Sequence, residues 1–550
     1  MKNKNTILVI AVLLLQVAVS QAKNYYLSSN SGSFTNDGLS KAKPFKGLGQ
    51  VPVGSLQAGD SVLIKGGEFI IGGPLTISTS GNSTSDIVVS SYDNILPSGE
   101  SLNGGLSLNG GIVIDGASNI TIKDIILKGD WNPILMSGTG GSGIKLNPSS
   151  AGGGSIAIIG CDISGFYIGI NGYYPNSLTS TNVYTTVNVM YCSVHDNGKA
   201  GLDISAVVPA LGSKLFAFDN LILYKNFFYN NLGSNISNHS GDGAVVGSFE
   251  RGIMSHNVVF HNGWRNTNAG AGPAGIWCWD ADSMLLEYNE SYDNGTMLGK
   301  GDGDGFDFDG GVTNSILQYN YSHDNWAAGY LLWNLGGMRS NTSNNILRYN
   351  ISENDNIGYP LHLWNRDHFG GIAIAAGCSD TKIYNNTISA KLGPCIKVEA
   401  GTTTNFEYYN NIFYSEAPTG HLLLDMQSSG NKLLNNCYYS VNGFLVKIGA
   451  TTYSTFGDGS STDLKKSGNE TSGNGMLANP KLKSPLAEIN IGDFSLTNLT
   501  NYQLQAGSPA KDKGLDLTAS PYKWNIGKND YNGLSIPAGS AHDIGACEAR

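Results

Sequence analysis

A short motif, here called the Asn step, recurs in the sequence and places Asn directly after a tyrosine. It occurs in EYNES (residues 287–291), QYNYS (318–322) and RYNIS (348–352). A looser form of the step, an aromatic or polar residue, Asn, any residue and then an apolar residue or Ser, recurs further along the chain in both directions. The asparagines of these steps are Asn226, Asn257, Asn289, Asn320, Asn350, Asn386, Asn411 and Asn436. They lie 25 to 36 residues apart, which is typical of proteins built from stacked repeats.

Apolar residues alternate with other residues around each of these steps, and this period of two predicts short strands. Short strands in repeats of this length predict a stack of coils in which each coil contacts only its neighbours. We expect every asparagine to occupy the same turn of its coil, where the side-chain amides form a hydrogen-bonded ladder along the stack.

The composition agrees with an all-β fold and limits the classes of molecule that the protein is expected to bind. The chain has 73 glycines and 27 tyrosines but only 14% charged residues, a profile typical of turn-rich β proteins. Its net charge of −10 argues against nucleic acid or an anionic membrane as a partner. Because the number of cysteines, seven, is odd, they cannot all form intramolecular disulfides. We expect Cys161 and Cys192 to be buried thiols.

The first residues predict export. The basic MKNKN, the apolar run TILVIAVLLLQVAVS and the small residues around Ser20 to Ala22 are typical of a signal peptide over residues 1–22. We expect a secreted protein, periplasmic or extracellular, without a membrane span, and a monomer. Residues 23–110 are predicted to form an N-terminal cap and the first coils, residues 111–450 the coils with the site, and residues 451–550 the last coils and an irregular capping tail.

The chain resembles the right-handed parallel β-helix proteins of the pectin-lyase-like superfamily. The resemblance rests on the repeats and on YYLSSNSGSFTNDGLSKAKPFKGL (25–48), LQAGDSVLIKGGEF (56–69), GGIVIDGASNITIKDIIL (110–127), YQLQAGSPAKDKG (502–514) and DIGACE (543–548). It covers most of the chain and implies a single-stranded right-handed parallel β-helix with an irregular C-terminal tail. Many such proteins cleave polysaccharides, yet the fold alone does not determine an activity.

One predicted strand of each coil can be aligned on its first residue, which is usually a glycine. The alignment predicts which side chains of these strands face outward. The segments are GLDIS (201–205), GAVVG (243–247), GIWCW (275–279), GFDFD (305–309), GYLLW (329–333), PLHLW (360–364) and CIKVE (395–399). Their second and fourth residues are apolar or aromatic and are predicted to face the core. The outward residues then form one column of Asp203, Val245, Trp277, Asp307, Leu331, His362 and Lys397, and a second of Ser205, Gly247, Trp279, Asp309, Trp333, Trp364 and Glu399.

The segment GDGDGFDFDGG (301–311) places Asp302, Asp304, Asp307 and Asp309 within eight positions. In one interpretation they hydrolyse a glycosidic bond, for which a pair of carboxyls divides the roles of acid and of base or nucleophile. Asp307 and Asp309 are the first choice, with Cβ atoms about 6.6 Å apart along one strand. Asp304 is the alternative member, able to raise the pKa of a neighbour.

In a second interpretation the acids bind Ca²⁺, which takes six to eight oxygen ligands. The tetrad DGFD (304–307) resembles the calcium motif of family 9 polysaccharide lyases, with Gly303 in place of the first Asp of that motif. The resemblance implies a lysine base on a neighbouring coil, and the metal ligands here would be Asp302, Asp304, Asp307 and Asp280. The same tetrad resembles part of a segment of family 28 polygalacturonases, but the paired Asp and Gly-His-Gly segments of that family have no match.

Aromatic and basic residues near the acids are candidates for substrate binding. Flat rings with polar edges suit the faces of sugars, and the candidates are Trp277, Trp279, Trp333, Trp364, His362, Arg366 and Lys397. We favour a glycoside hydrolase that needs no cofactor, because the neighbours expected beside Asp307 are tryptophans and a leucine. A calcium-dependent, pectate-like lyase is the alternative. A third possibility is a glycan-binding β-helix without catalysis, in which the acids hold a stabilising calcium.

Overall fold

The structure is a computed structural model that describes residues 21–549 except 96–101, 109–110, 133–134, 139, 150–152, 177, 179–182, 209–210, 236–238, 268–271, 298–301, 359–369 and 471–474. The described chain forms three 14-stranded sheets that run along the stack. Each coil contributes one strand to each sheet in turn, and neighbouring strands are parallel except at the last pair of one sheet. This arrangement confirms the predicted parallel β-helix.

We number the strands β1 to β42 in chain order and name the sheets I, II and III. Sheet I comprises β1 (Asn24–Leu27), β2 (Ser61–Lys65), β5 (Ile87–Tyr92), β8 (Ile120–Lys123), β11 (Ser155–Ile159), β14 (Thr186–Met190), β17 (Leu221–Tyr224), β20 (Gly252–Ser255), β23 (Met284–Glu287), β26 (Ile316–Gln318), β29 (Ile346–Arg348), β32 (Lys382–Tyr384), β35 (Phe406–Tyr409) and β38 (Asn431–Leu434). Sheet II comprises β4 (Leu75–Ile77), β7 (Ile112–Asp115), β10 (Ser142–Asn147), β13 (Ile168–Tyr174), β16 (Ala200–Ala206), β19 (Asp242–Gly247), β22 (Ala274–Trp279), β25 (Asp304–Phe308), β28 (Tyr330–Leu332), β31 (Ile372–Ile374), β34 (Ile396–Val398), β37 (Leu424–Met426), β40 (Val446–Ile448) and β41 (Thr451–Tyr453).

Sheet III comprises β3 (Phe69–Gly72), β6 (Gly105–Leu108), β9 (Ile126–Lys128), β12 (Asp162–Ser164), β15 (Ser193–His195), β18 (Phe227–Tyr229), β21 (Val258–Phe260), β24 (Glu290–Tyr292), β27 (Tyr321–His323), β30 (Ile351–Glu353), β33 (Thr387–Ala390), β36 (Ile412–Ser415), β39 (Cys437–Ser440) and β42 (Met476–Leu477). Short 3-10 helices span Leu48–Gln50, Val53–Ser55 and Leu496–Asn498. No helix of the described chain is long and apolar enough to cross a membrane.

The predicted asparagine ladder is present at the tight turn between sheets I and III. The Nδ2 of Asn289 donates to Oδ1 of Asn320 at 3.0 Å, and Asn320 donates in the same way to Asn350 at 3.0 Å. The same bond links the other asparagines of the series, from Asn226 to Asn436. Each amide also accepts a backbone N–H from the preceding coil, as Asn320 does from Asn289. The ladder therefore satisfies buried polar groups that a turn inside the stack would otherwise leave unpaired.

A second ladder lies at the turn between sheets III and II and was not predicted. Its members are Asn197, Asn231, Asn262, Asn294, Asn325 and Asp355, joined by side-chain bonds of 2.8–3.0 Å. Asp355 ends this ladder, and its other oxygen accepts the hydroxyl of Ser352. The two ladders fix two corners of every coil that they cross.

The core fills the space between the three sheets and confirms the predicted register for β22 and β25. Phe306 and Phe308 of β25 and Ile276 and Cys278 of β22 are fully buried in the main core cluster. Trp277, which lies between the last two in sequence, belongs to a separate apolar cluster on the outer side of sheet II. The seven cysteines are all buried and unpaired, as expected for small apolar side chains.

The irregular C-terminal segment packs on sheet III and on the adjoining ends of sheet I strands. A second apolar cluster joins Leu496, Tyr502 and Tyr531 of this segment to Tyr321 and Ile351 of sheet III. The carboxylate of Glu290 in β24, fully buried, accepts the backbone N–H groups of residues 491 and 492 at 2.7 Å each. The tail is therefore attached to the side of the stack by buried hydrogen bonds as well as by apolar contacts.

We predict that Asn320→Ala destabilises the protein by about 2–4 kcal/mol, because it leaves buried backbone and amide groups of two adjacent coils without partners. Thermal and denaturant unfolding measure the change. Asn490→Ala, at an exposed position, is the matched control and should be neutral. Equal stability of both variants would contradict a structural role for the ladder.

Candidate active site on sheet II

The outward side chains of sheet II form two continuous columns because neighbouring strands are in strict register. Asp203 of β16 pairs with Val245, Val245 with Trp277, and Trp277 with Asp307. The second column contains Tyr173, Ser205, Gly247 and Trp279, followed by Asp309, the residue just after the end of β25. The predicted Asp and Trp positions of these coils are therefore confirmed as neighbours on one outer face.

The prediction for the next coils was wrong at one strand. Leu331 of β28 pairs with Ala373 of β31, and Ala373 with Lys397, so Ala373 takes the place that the sequence alignment gave to His362. The alignment matched PLHLW by its alternating pattern, whereas the strand that completes the coil is the shorter Ile372–Ile374. His362, Trp364 and Arg366 lie outside the described residues.

The four aspartates differ in burial and in their hydrogen bonds. Asp304 is 1% exposed, and its Oδ1 accepts the N–H of Ala328 at 2.6 Å while its Oδ2 has no partner. Asp307 is 6% exposed with an unpartnered Oδ1. Asp302 and Asp309 are half-buried and accept the backbone N–H groups of residues 272 and 310 at 2.6 and 2.5 Å.

Burial raises the pKa values of all four carboxyls, and repulsion by neighbouring acids adds to this rise at Asp302, Asp304 and Asp307. Burial, followed by the charge of Asp309, raises the pKa of Asp307 well above its usual range. Burial also raises the pKa of Asp304 well above the usual range, and it raises that of Asp302 to about 6. The pKa of Asp309 is raised by burial but opposed by the N–H of residue 310 and the nearby His239. Such divergent titration of close carboxyls is typical of catalytic sites.

A cavity of about 260 Å³ opens on this face between the columns and the adjoining loops. Its lining consists of Lys199, Asp203, Ser205, Val208, His239, Asp242, Val245, Trp277, Trp279, Asp309, Gly310, Leu335 and Met338. Trp277 is only 5% exposed, because the ring of His239 stacks on it at 5.5 Å and its Nε1 donates to Asp242. Trp279 is half-buried and contributes the more accessible ring, while Trp333 packs beside Leu331 on the far side of Asp307.

Several residues of the cavity were not predicted. Asp242 begins β19 at the register position of Asp304, and one of its oxygens is buried without a partner. Both aspartates precede the glycine of an aligned strand, so the Asp-Gly step in GDGAVVG (241–247) was the missed signal. His239 comes from a loop, for which periodicity gives no prediction. Lys199 is held by Asp203 at 2.5 Å.

Asp280 does not join Asp302, Asp304 and Asp307, so the four predicted calcium ligands are not brought together. Its two oxygens accept Nε and Nη2 of Arg339 at 2.6 and 2.8 Å. The guanidinium also donates to the carbonyl of Leu215 and stacks on Phe216 at 3.7 Å. This buried pair holds two loops together at the rim of the cavity, including the loop with Leu335 and Met338.

Lys397 is also engaged elsewhere. It lies three strands from Asp307 on the same outer face, is 5% exposed, and donates to Asp425 at 2.5 Å. Within the described ranges, no group of three His, Cys, Asp or Glu side chains is arranged to hold a metal ion. The residues proposed for calcium therefore do not fit one cation.

Comparison with known proteins shows the fold. No family model matches the chain. XylC in complex with xylose superposes with a TM-score of 0.50 over 96% of this chain and 99% of that chain, at 10% identity. The chain is a right-handed parallel β-helix. GH136 lacto-N-biosidase from Eubacterium ramulus aligns with a TM-score of 0.49 at 19% identity, covering 70% of this chain and 68% of that one.

A local similarity in sequence is found to one curated protein. Over 147 residues the chain is 30% identical to a lacto-N-biosidase of Bifidobacterium longum subsp. longum. The match covers 26% of this chain and spans 8% of the length of that relative.

We predict that Asp307→Asn stabilises the fold at neutral pH. A carboxyl with a folded pKa above its unfolded value, about 3.9, favours the fold only while it is protonated, so its contribution is lost as the pH rises through the folded pKa. The melting temperature of Asp307→Asn should therefore exceed that of the unmodified protein at about pH 7 and equal it at about pH 4. Asp37→Asn, at an exposed position, should change neither value. A lower melting temperature for Asp307→Asn at neutral pH would show that an ionised Asp307 stabilises the fold.

Proposed function

We propose that this protein is a secreted glycoside hydrolase that cleaves a neutral glycan on the outer face of sheet II. The decisive observation is the pair Asp307 in β25 and Asp309 just after the end of that strand, two residues apart, whose pKa values are both raised by burial, that of Asp307 further. The local similarity to a lacto-N-biosidase supports a carbohydrate-active enzyme. Action outside the cell rests on the signal peptide predicted over residues 1–22.

The two carboxyls would have complementary roles. Burial beside other acids raises the pKa of Asp307 well above its usual range and so favours its protonated form; it would give its proton to the glycosidic oxygen as the bond from that oxygen to the anomeric carbon breaks. Asp309 lines the cavity, and the N–H of residue 310 and His239 oppose the rise that burial causes in its pKa, so it would ionise more readily than Asp307. It would supply an electron pair to the anomeric carbon, directly or through a water molecule.

The other acids would tune this pair. Asp304 is fully buried, and its hydrogen bond to the N–H of Ala328 fixes its carboxyl behind the outer face. Asp302 is half-buried with a pKa of about 6, so it is the alternative proton donor if Asp307 proves inaccessible to substrate. The half-buried ring of Trp279 would contact the sugar near the bond that is cut, while Trp277, covered by His239, would support the wall of the cavity.

Hydrolysis fits these surroundings better than β-elimination does. Elimination acts on a uronate and needs a base near the C5 proton together with a group that neutralises the carboxylate. The charge of Lys397 is balanced by Asp425, and the charge of Arg339 by Asp280. The residues that flank Asp307 in register are Trp277 and Leu331, which suit an uncharged sugar. We propose that calcium is not required.

Product chemistry tests this proposal. The purified protein is incubated with a panel of neutral and uronate polysaccharides, with and without a chelator. We expect products with saturated ends and new reducing ends from a neutral glycan, in equal yield when the chelator is present. Unsaturated uronate products that require calcium would instead show a lyase. A complete lack of cleavage, with binding retained, would favour the glycan-binding alternative.

Substitution of the paired acids tests their roles on the glycan that is cleaved. Asp307→Asn and Asp309→Asn should each lower kcat by about 10²–10⁴-fold with little change in KM, because proton transfer and attack are lost but binding contacts are kept. Asp302→Asn is measured in parallel as the alternative donor. Asp282→Asn, at a carboxyl that binds Thr313 outside the cavity, is the matched control and should retain full activity. Full activity of Asp307→Asn with loss in Asp302→Asn would assign the donor to Asp302.

A further inference from the structure

The outer face of sheet II continues beyond the acid cluster towards the N-terminal coils. Tyr173 of β13 pairs in register with Ser205. It therefore belongs to the same outward column as Trp279 and Asp309. Four strand steps separate Tyr173 from Asp309, about 19 Å at the usual strand spacing of about 4.8 Å. Tyr173 is 50% exposed, which is unusual for a large aromatic residue on a sheet with neighbours on both sides.

A second cavity, of about 710 Å³, lies over this part of the sheet. Its lining includes Asp115, Lys145, Asn147, Asn171 and Tyr173. Asn171 pairs in register with Asp203, and Asp203 lines the cavity beside the acids. The two cavities therefore adjoin where β13 meets β16.

The surface between the rings of Tyr173 and Trp279 is formed by a small side chain. The column positions between these residues are Ser205 and Gly247, and the indole ring of Trp279 covers Gly247, so Ser205 lies between the rings. A Cβ atom added to Gly247 would lie 2.3 Å from Cε2 of Trp279, so the indole ring already lies over this glycine. Trp279 thus leans away from the acids and towards Tyr173, which leaves about two strand steps, roughly 9.6 Å, between the rings.

The chemistry of the second cavity suits an uncharged carbohydrate. The phenol ring of Tyr173 offers a flat apolar face with a polar edge. The amides of Asn147 and Asn171 can both donate and accept hydrogen bonds, as sugar hydroxyls require. Asp115 and Lys145 balance each other in charge, so the cavity does not select an anion.

We infer that Tyr173 is the platform of a distal subsite that binds sugar units of the same glycan several positions away from the bond that is cut. This inference rests on the proposed function, because the glycan would span from the ring of Trp279, which covers Gly247, across Ser205 to Tyr173. The subsite gives the enzyme a preference for longer chains. Short substrates occupy only the cavity beside the acids.

Binding without turnover tests the subsite independently of catalysis. The probe is a printed panel of neutral oligosaccharides in series of increasing length, and the protein is the full chain with Asp309→Asn. We expect affinity to rise with chain length, and Tyr173→Ala added to this variant should remove about tenfold of that gain while leaving short members unchanged. Phe34→Ala is the matched control, because Phe34 is an aromatic residue that is 76% exposed and lines neither cavity. This variant should keep the full gain in affinity. Melting curves verify that each variant is folded.

The subsite is refuted if the gain with length survives Tyr173→Ala, if Phe34→Ala removes it equally, or if no oligosaccharide of the panel binds in a length-dependent way. Length-dependent binding through Tyr173 without any glycan cleavage by the unmodified protein would refute the hydrolase and keep the subsite. Cleavage that is indifferent to Tyr173→Ala on long and short substrates alike would refute the subsite and keep the hydrolase.

Discussion

Hydrogen bonding at the turns is the constraint on which the rest of this structure depends. A coil that turns inside a stack buries backbone N–H and C=O groups, and each must find a partner. Asn320 and its equivalents solve this with one side chain that accepts from the preceding coil and donates to the next. Because the ladders hold two corners of successive coils in the same place, the strands between them stay in register. The positions of outward side chains on sheet II follow from that register.

The register brings several acids together on sheet II, and this arrangement lowers the stability of the fold. Alternation along β25 sends Phe306 and Phe308 into the core and Asp307 outward among other acids. Carboxyls with raised pKa values weaken a fold near neutral pH, a trade between stability and activity that is common at catalytic sites. Other contacts offset part of this cost. Arg339 joins two rim loops through Asp280, and the tail packs on sheet III rather than over the site.

The sequence was sufficient for the fold, the first ladder and the outward aspartates, because each depends on local alternation repeated at a fixed spacing. It failed where a coil departs from the pattern. PLHLW (360–364) alternates like a strand, but Ile372–Ile374 completes the coil, so the expected place of His362 belongs to Ala373. The engagement of Asp280 by Arg339 could not be foreseen either, since the partners are 59 residues apart and meet through loops. His239 and the wall of Leu335 and Met338 were missed for the same reason.

We infer that the Asp307 carboxyl keeps its proton to a higher pH than the neighbouring Asp309 carboxyl does. Carbon-13 NMR titration of the aspartate side-chain carboxyls, assigned with the single Asn variants, measures this directly. The account predicts that the Asp307 carboxyl titrates above that of Asp309 and well above the usual value of about 3.9. Titration of both carboxyls together near that usual value would contradict it.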